Sequence, residues 1–378
     1  TNSFHRSSSF IYNRENMHLS FGYNKYHSYL DMGIDDNYLD LDSYIIRDGY
    51  NQIVQLNDKF MSFIITYSPH SPYTYEKIEC TTNLDDIKEI YPDITNEEYL
   101  CGFSAARETD NMFKLLLEKL KEDNPNIITI IGGCMPQEEG ISNMLKDKYK
   151  WVDIVLGTHN IYDIPTLLDN VTKEKKQNIE VYSIEGDIIE NLPVKRDSNY
   201  KAWVNIQYGC DKFCSYCIVP YTRGKQRSRL PKDILKEINS LKEKGYKEVT
   251  LLGQNVNAYG KDLDINYTMS NLLEDTAKTG IDRIRFVTSH PWDFSSDMID
   301  IIAKYPNIMP YIHLPIQSGS DNILKKMNRR YTIAEYKKLF HELKDKIPKV
   351  SITTDIIVGF PGETEEDFEE TLKIYNEL

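Results

Sequence analysis

Long apolar runs are missing from this sequence. No stretch approaches the roughly 18 consecutive apolar residues of a membrane-spanning helix, so an integral membrane protein is not expected. Basic charge is also short. Forty-five Lys and Arg stand against 58 Asp and Glu, a net charge of −13. A bulk positive field for nucleic acid is therefore excluded, and any RNA contact has to use local basic loops. Cysteine is scarce, six in 378 residues, too few for a disulfide scaffold in a chain this long. Yet three of the six lie between positions 210 and 217, which points to metal or redox chemistry in a reducing compartment.

The length suits two or three domains of about 150 residues, each able to bury a core. Residues 1–57 are polar, rich in Ser, Tyr, Asn and Asp, and weakly periodic. They lack the apolar segment of a signal peptide and the Arg-rich character of a transit peptide, and read as a loosely ordered extension. From 58 to 175 strands and helices alternate. The strands are expected at 61–67, 126–131 and 151–156, with a weaker one near 99–103. Met112, Leu115, Leu116 and Leu120 form a helical stripe within 108–121. The pattern predicts a doubly wound parallel α/β sheet. Residues 176–200 read as a linker with one strand near 179–184. From 201 to 378, strands at 202–208, 248–253, 283–288, 311–316 and 350–359 alternate with helices, as in a partial β/α barrel whose active groups gather at the C-terminal strand ends. The pattern reads as cut short at Leu378.

The sharpest local signal is Cys210-Asp-Lys-Phe-Cys214-Ser-Tyr-Cys217, a C-x3-C-x2-C run just after the first barrel strand. Three thiolates on one short loop can hold three irons of a 4Fe–4S cube and leave the fourth open. A structural zinc site would want four ligands, commonly as two C-x2-C pairs. No fourth Cys or His is near, and the closest downstream histidine is His290.

This spacing, with Tyr216 before the last cysteine, resembles the signature of the radical S-adenosylmethionine (SAM) enzymes. The resemblance implies a 4Fe–4S cluster on Cys210, Cys214 and Cys217, with SAM on the open iron through its amino and carboxylate groups. It further implies reductive cleavage of SAM to a 5′-deoxyadenosyl radical, and Tyr216 packed near the adenine. The segments CSYCIVPYTRG (214–224), LGQNVNAY (252–259), FVTSHP (286–291), HLPIQSGS (313–320) and TDIIVGFPGE (354–363) are similar to those of the methylthiotransferases, in their tRNA branch. That branch adds a methylthio group to C2 of N6-isopentenyl-adenosine 37, beside the anticodon. Sister enzymes act on threonylcarbamoyl-adenosine or on a ribosomal protein. Implied partners are the tRNA anticodon loop and an electron donor of the flavodoxin type. The expected compartment is the cytoplasm, which the sequence does not separate from an organelle.

Read physically, Gly253, Gly319, Gly359 and Gly362 leave room for a ligand beside the backbone. Gln254, Asn255, Ser289, Gln317, Ser318 and Asp355 are the polar candidates for the amino-acid and ribose parts of SAM, or else satisfied turn residues. Asp355 is favoured because a carboxylate among apolar neighbours needs a partner.

The family's amino-terminal domain supplies three more cysteines for an auxiliary 4Fe–4S cluster. Here the third is Cys134, in GCMPQ, whereas the second falls at Ser104 and the first at about Pro69. Neither replacement ligates iron as a thiolate does. Cys101 and His70 stand nearby as substitutes; the plainer reading makes Cys101 and Cys80 ordinary buried residues. An alternative to the enzyme is thus an impaired homologue that binds RNA or a partner. Two basic loops, 223–229 (RGKQRSR) and 325–330 (KKMNRR), are the candidate phosphate contacts, or else solvated and ion-paired surface.

Overall fold

A computed structural model of the chain describes residues 2–5, 25–27, 32, 41, 43–53, 62–65, 78–149, 151–174, 177–181, 188, 190, 194, 196 and 198–378. The chain divides into two compact units, Thr1–Ile127 and Ile128–Leu378.

In the first unit, β1 (Asn2–His5), β2 (Lys25–His27) and β3 (Ser62–Ile65) form a parallel sheet of order β2-β1-β3. Helix α1 (Ser43–Ile53) lies within the stretch expected to be a loose extension. Its Ile45, Ile46, Tyr50 and Ile53 recur at helical spacing and are buried together with Met32 and Met112. Two short helices follow, α2 (Ile78–Thr81) and α3 (Leu84–Ile90), then the long α4 (Glu97–Asp123). The strand expected near 99–103 is instead the first turns of α4. Asn96 caps it by accepting from the Tyr99 N–H at 3.0 Å. Leu100, Cys101, Ser104, Ala105, Glu108 and Met112 then share one buried face, a period that only a helix satisfies. Of the strand expected at 61–67, residues 62–65 are β3 and the rest lies outside the described residues.

The second unit opens with β4 (Ile130–Gly132), helix α5 (Glu139–Lys148), β5 (Ile154–Leu156), helix α6 (Ile164–Glu174) and β6 (Asn178–Glu180). The strands are parallel in the order β4-β5-β6. Ile154 and Leu156 pack on Leu167 and Val171 of α6, while Val155 packs with Leu145 of α5. Alternate side chains of β5 thus feed opposite faces, as in a doubly wound sheet. Part of the expected linker, 178–180, belongs to this sheet, and the unit boundary falls at 127/128.

The barrel portion begins with β7 (Lys201–Asn205), β8 (Gln207–Tyr208), α7 (Val219–Arg223), β9 (Arg227–Ser228), α8 (Pro231–Glu243), β10 (Glu248–Leu252), α9 (Met269–Lys278) and β11 (Arg283–Phe286). It continues with α10 (Ser296–Lys304), β12 (Tyr311–His313), α11 (Asp321–Lys326), α12 (Ile333–Lys346), β13 (Ser351–Thr353) and α13 (Glu365–Glu377). β7, β10 and β11 pair in parallel, Ile308 bridges to Ile284 of β11, and β12 pairs in parallel with β13. Ala202, Val204, Val249, Leu251, Ile284 and Ile312 are buried with Ile234, Ile238, Leu272, Leu273, Ile299 and Ile302 from the helices. The strands are shorter than expected because their ends turn off into loops, at Thr288 (φ +65°) and Gln317 (φ +69°). Among the described residues only β8 and β9 pair antiparallel, in a ribbon next to the cysteine loop.

Candidate active site

The cysteine loop leaves β8 through Gly209, whose φ is +75° and whose N–H donates to Gln254 Oε1 at 2.7 Å. Cys210 N–H donates to the Gly224 carbonyl at 3.1 Å and Cys217 N–H to the Cys214 carbonyl at 2.9 Å. The three thiols are free. Cys210 and Cys214 are buried and Cys217 is half-buried. Burial pushes the Cys210 thiol up to about 11, which makes an unliganded thiolate there costly. A positive centre bound to the sulfur would reverse that cost.

Neighbouring strand ends hold the loop. Asp293, just past β11, has a side chain only 1% exposed and takes Lys212 of the loop at 2.8 Å, Lys261 at 2.6 Å and Asn255 Nδ2 at 2.7 Å. On the other side the turn after α11 clasps it. Ser215 N–H donates to the Met327 carbonyl at 3.0 Å, and Asn328 Nδ2 to the Phe213 carbonyl at 2.8 Å. Arg329 Nη1 reaches Cys214 Sγ at 3.8 Å and Tyr216 OH at 3.4 Å.

Among the described residues no three His, Cys, Asp or Glu side chains converge closely enough to enclose a single metal ion. A structural zinc site would need a fourth ligand beside the three thiols, whereas a cube takes one thiolate at each of three irons. The donor chemistry fits such a cube. Beside it, at the C-terminal ends of the first three barrel strands, Gln207 Oε1, Asn255 Oδ1, both amide atoms of Asn257 and Ser289 Oγ are buried without a hydrogen-bond partner. Buried polar atoms of this kind call for a ligand, and the amino and carboxylate groups of SAM match them in type.

The candidates separate as follows. Asn255 and Ser289 carry buried, unpartnered oxygens, and Gln254 orients the backbone entering the cysteine loop. The Tyr216 ring meets Phe360 edge-on at 6.5 Å, and burial pushes its hydroxyl up to about 12. Gln317, buried at positive φ, bridges to the segment after β13 through its backbone N–H to the Asp355 carbonyl at 2.9 Å. Two expectations need correction. Ser318 faces α13, where its hydroxyl meets Thr371 Oγ1 at 3.4 Å; a Cβ on Gly319 would stand 2.4 Å from the Thr371 Cα, so that glycine admits a helix rather than a ligand. Asp355 is exposed, not buried, and pairs with His313 Nε2 at 3.2 Å, so burial gives no argument for it.

The basic loops are partly consumed by the fold. Arg229 is buried between Glu190 at 2.5 Å and Glu237 at 2.8 Å, Arg227 meets His159 Nδ1 at 3.2 Å, and Arg329 lies under the cysteine loop. Arg330 is exposed, its guanidinium 5.4 Å from the Trp292 ring centroid. Sequence reading missed Asp293 and His290. Burial and then Arg329 hold His290 down to about 3, a neutral imidazole whose Nδ1 accepts from Trp292 N–H at 3.3 Å. The "His-Pro-Trp-Asp" run was the available signal for both.

In the second unit Cys134 follows β4 and Gly133, half-buried and free. Of its expected companions, Ser104 is inside α4 of the first unit, where its hydroxyl accepts from Asn83 N–H at 3.1 Å. Cys101 and Cys80 are both buried, as the plainer reading expects, and are joined in a disulfide, so Cys101 is not a spare ligand. Pro69 and His70 lie outside the described residues. A cavity of about 1000 Å³, lined by Trp203, Arg229 and Glu237 among others, holds none of the thiols. Concavity alone does not locate the chemistry.

Residues 204–374 match the model of the Radical SAM superfamily. The chain is 55% identical over 263 residues to the tRNA-2-methylthio-N(6)-dimethylallyladenosine synthases of Staphylococcus aureus strains JH9 and NCTC 8325 / PS 47, a match covering 69% of this chain and 51% of each relative. The chain thus spans about half the length of the curated relatives it matches. The radical SAM methyltransferase TsrM from Kitasatospora setae, solved with cobalamin and a [4Fe-4S] cluster, shares the fold at a TM-score of 0.51 and 12% identity, over 100% of this chain and 70% of that one. Residues 204–374 therefore form a radical SAM domain, a domain that uses a 4Fe–4S cluster and SAM, in a chain similar to the curated tRNA-2-methylthio-N(6)-dimethylallyladenosine synthases.

Proposed function

We propose that this chain carries the radical SAM core of a tRNA methylthiotransferase that modifies C2 of N6-isopentenyl-adenosine 37, in the cytoplasm, with electrons from a donor of the flavodoxin type. The observation that carries the reading is the trio of free thiols on one loop, with unpartnered buried polar atoms past the neighbouring strand ends, in a chain 55% identical over 263 residues to such synthases. Cys210, Cys214 and Cys217 would hold the cluster. Asn255 and Ser289 would take polar groups of SAM, with Gln254 and Gln317 shaping the backbone beside them and Tyr216 against the adenine. When bound, the cluster and SAM supply the 5′-deoxyadenosyl radical. Lys212, anchored on buried Asp293, keeps the loop in place while that chemistry proceeds. Cys134 is the remaining candidate ligand of an auxiliary cluster.

A second reading, a homologue that cleaves SAM without inserting sulfur, is favoured by one set of contacts: Ser104 is occupied inside α4 and Cys101 is tied to Cys80. Iron counting after anaerobic reconstitution separates the two, with about four irons per chain for one cluster and about eight for two. In the same preparation Cys214→Ala is expected to abolish 5′-deoxyadenosine formation from SAM. Continued formation of that product would contradict the ligand assignment. Nucleoside analysis of tRNA incubated with the wild type then tests for the methylthio product.

A further inference from the structure

We propose that Arg329 is the built-in counter-ion of the cysteine cluster and that its N–H bond to the Cys214 sulfur raises the cluster's reduction potential. The proposal rests on the cluster reading above. Arg329 is 7% exposed. Its Nη2 donates to the Pro315 carbonyl at 2.8 Å, its Nε to Tyr331 OH at 3.2 Å, and its Nη1 faces Tyr216 OH and Cys214 Sγ. Each oxygen in that set is neutral. Among the described residues no carboxylate pairs with it. Another buried guanidinium is treated differently, with Arg229 set between Glu190 and Glu237.

A buried cation without an anion is costly and is seldom retained. The group facing Arg329 that can carry negative charge is the Cys214 sulfur, which is a thiolate once it holds iron. The fold fixes this approach. Asn328, at φ +55°, donates to the carbonyl of Phe213, while Ser215 N–H and Oγ donate to the carbonyls of Met327 and Lys326. The turn thereby grips the residues on either side of Cys214 and delivers Arg329 between them. A cube held by three thiolates is anionic, and a low-potential one-electron donor makes it more so by one charge, with no bond made or broken. A fixed cation and an N–H···S bond favour the reduced state and move the potential upward.

The test is an EPR-monitored redox titration of the full chain, anaerobically reconstituted. In Arg329→Met the midpoint potential should become more negative by at least a tenfold change in the reduction equilibrium, 59 mV for one electron. Arg329→Lys keeps the charge and loses the planar fork, so its potential should fall between the two. About four irons per chain in each protein establish the cluster independently of the outcome. An unchanged potential in iron-loaded Arg329→Met overturns the role of Arg329 alone, whereas a wild type without iron overturns the cluster reading. Should Arg329→Met fail to load, Arg329→Lys decides, and a potential equal to wild type sinks the proposal. Should neither load, wild type carrying 15N-guanidino arginine decides: pulsed EPR of the reduced cluster should show nitrogen coupling, and none would refute the contact.

Discussion

Gly209→Ala should abolish iron loading while leaving the barrel core folded. The reason is local and steric. A Cβ at position 209 would stand 2.1 Å from the Lys225 carbonyl oxygen and 2.5 Å from that of Gly224. Both are backbone atoms of the short segment that leads into β9, so no side chain can swing aside. The φ of +75° adds about 1–2 kcal/mol for any residue with a Cβ. Relief requires parting the ribbon, and with it the Gly209 N–H bond to Gln254 and the Cys210 N–H bond to the Gly224 carbonyl. Those two bonds set where Cys210 begins, so the loop loses its register. The barrel core draws on none of these residues, and circular dichroism should change little. Gly245→Ala is the control: it shares a positive φ, +91°, but a Cβ there meets nothing within 4 Å. It should lose only the backbone term of about 1 kcal/mol and load iron normally. Normal iron content in Gly209→Ala would show that the loop tolerates a shift this geometry forbids.

The barrel was readable because its strands are apolar runs bounded by polar turns, and because β7, β10 and β11 pair in sequence-neighbour order with helices between them. The misreadings share a cause. Residues 99–103 hold Tyr, Leu, Cys and Phe, which read as a short strand when the window stops there. Only the longer run to Met112 reveals the helical period. Residues 43–53 lie within a polar stretch, and their burial depends on a face of α4 some 60 residues away, which a local window does not include.

The same limit applies to the site. The thiol spacing is local and was legible. Arg329 and Arg330 are adjacent and alike as letters, yet one is buried against Cys214 and the other lies exposed over Trp292. What separates them is a turn at Asn328 clasping a loop more than 100 positions upstream, and no spacing rule encodes that. Asp355 shows the reverse error: apolar neighbours in sequence suggested burial, but the strand end leaves it exposed.

Asp293→Asn should destabilise the protein and loosen the cysteine loop together. The carboxylate is nearly inaccessible and holds Lys212, Lys261 and the Asn255 amide at 2.6–2.9 Å. Burial works against its charge, but the bonds from Lys212, Lys261 and Asn255 outweigh it and hold its pKa below the usual carboxylate range. Removing one partner of a buried pair costs about 3–5 kcal/mol. Lys261 is 60% exposed and can turn to water, so we expect about 2–4 kcal/mol in urea unfolding. Lys212 is 17% exposed and cannot escape as readily; its strain falls on the loop that carries the thiols, so iron retention under chelator should shorten in the same variant. The pH dependence has a fixed sign. A depressed folded-state pKa stabilises above the unfolded value of about 4 and loses that contribution as pH falls through the folded value. The stability gap between wild type and Asp293→Asn should therefore be full at neutral pH and close below about pH 4. A gap that persisted unchanged into acid would mean that shape, and not the carboxylate charge, holds Lys212 in place.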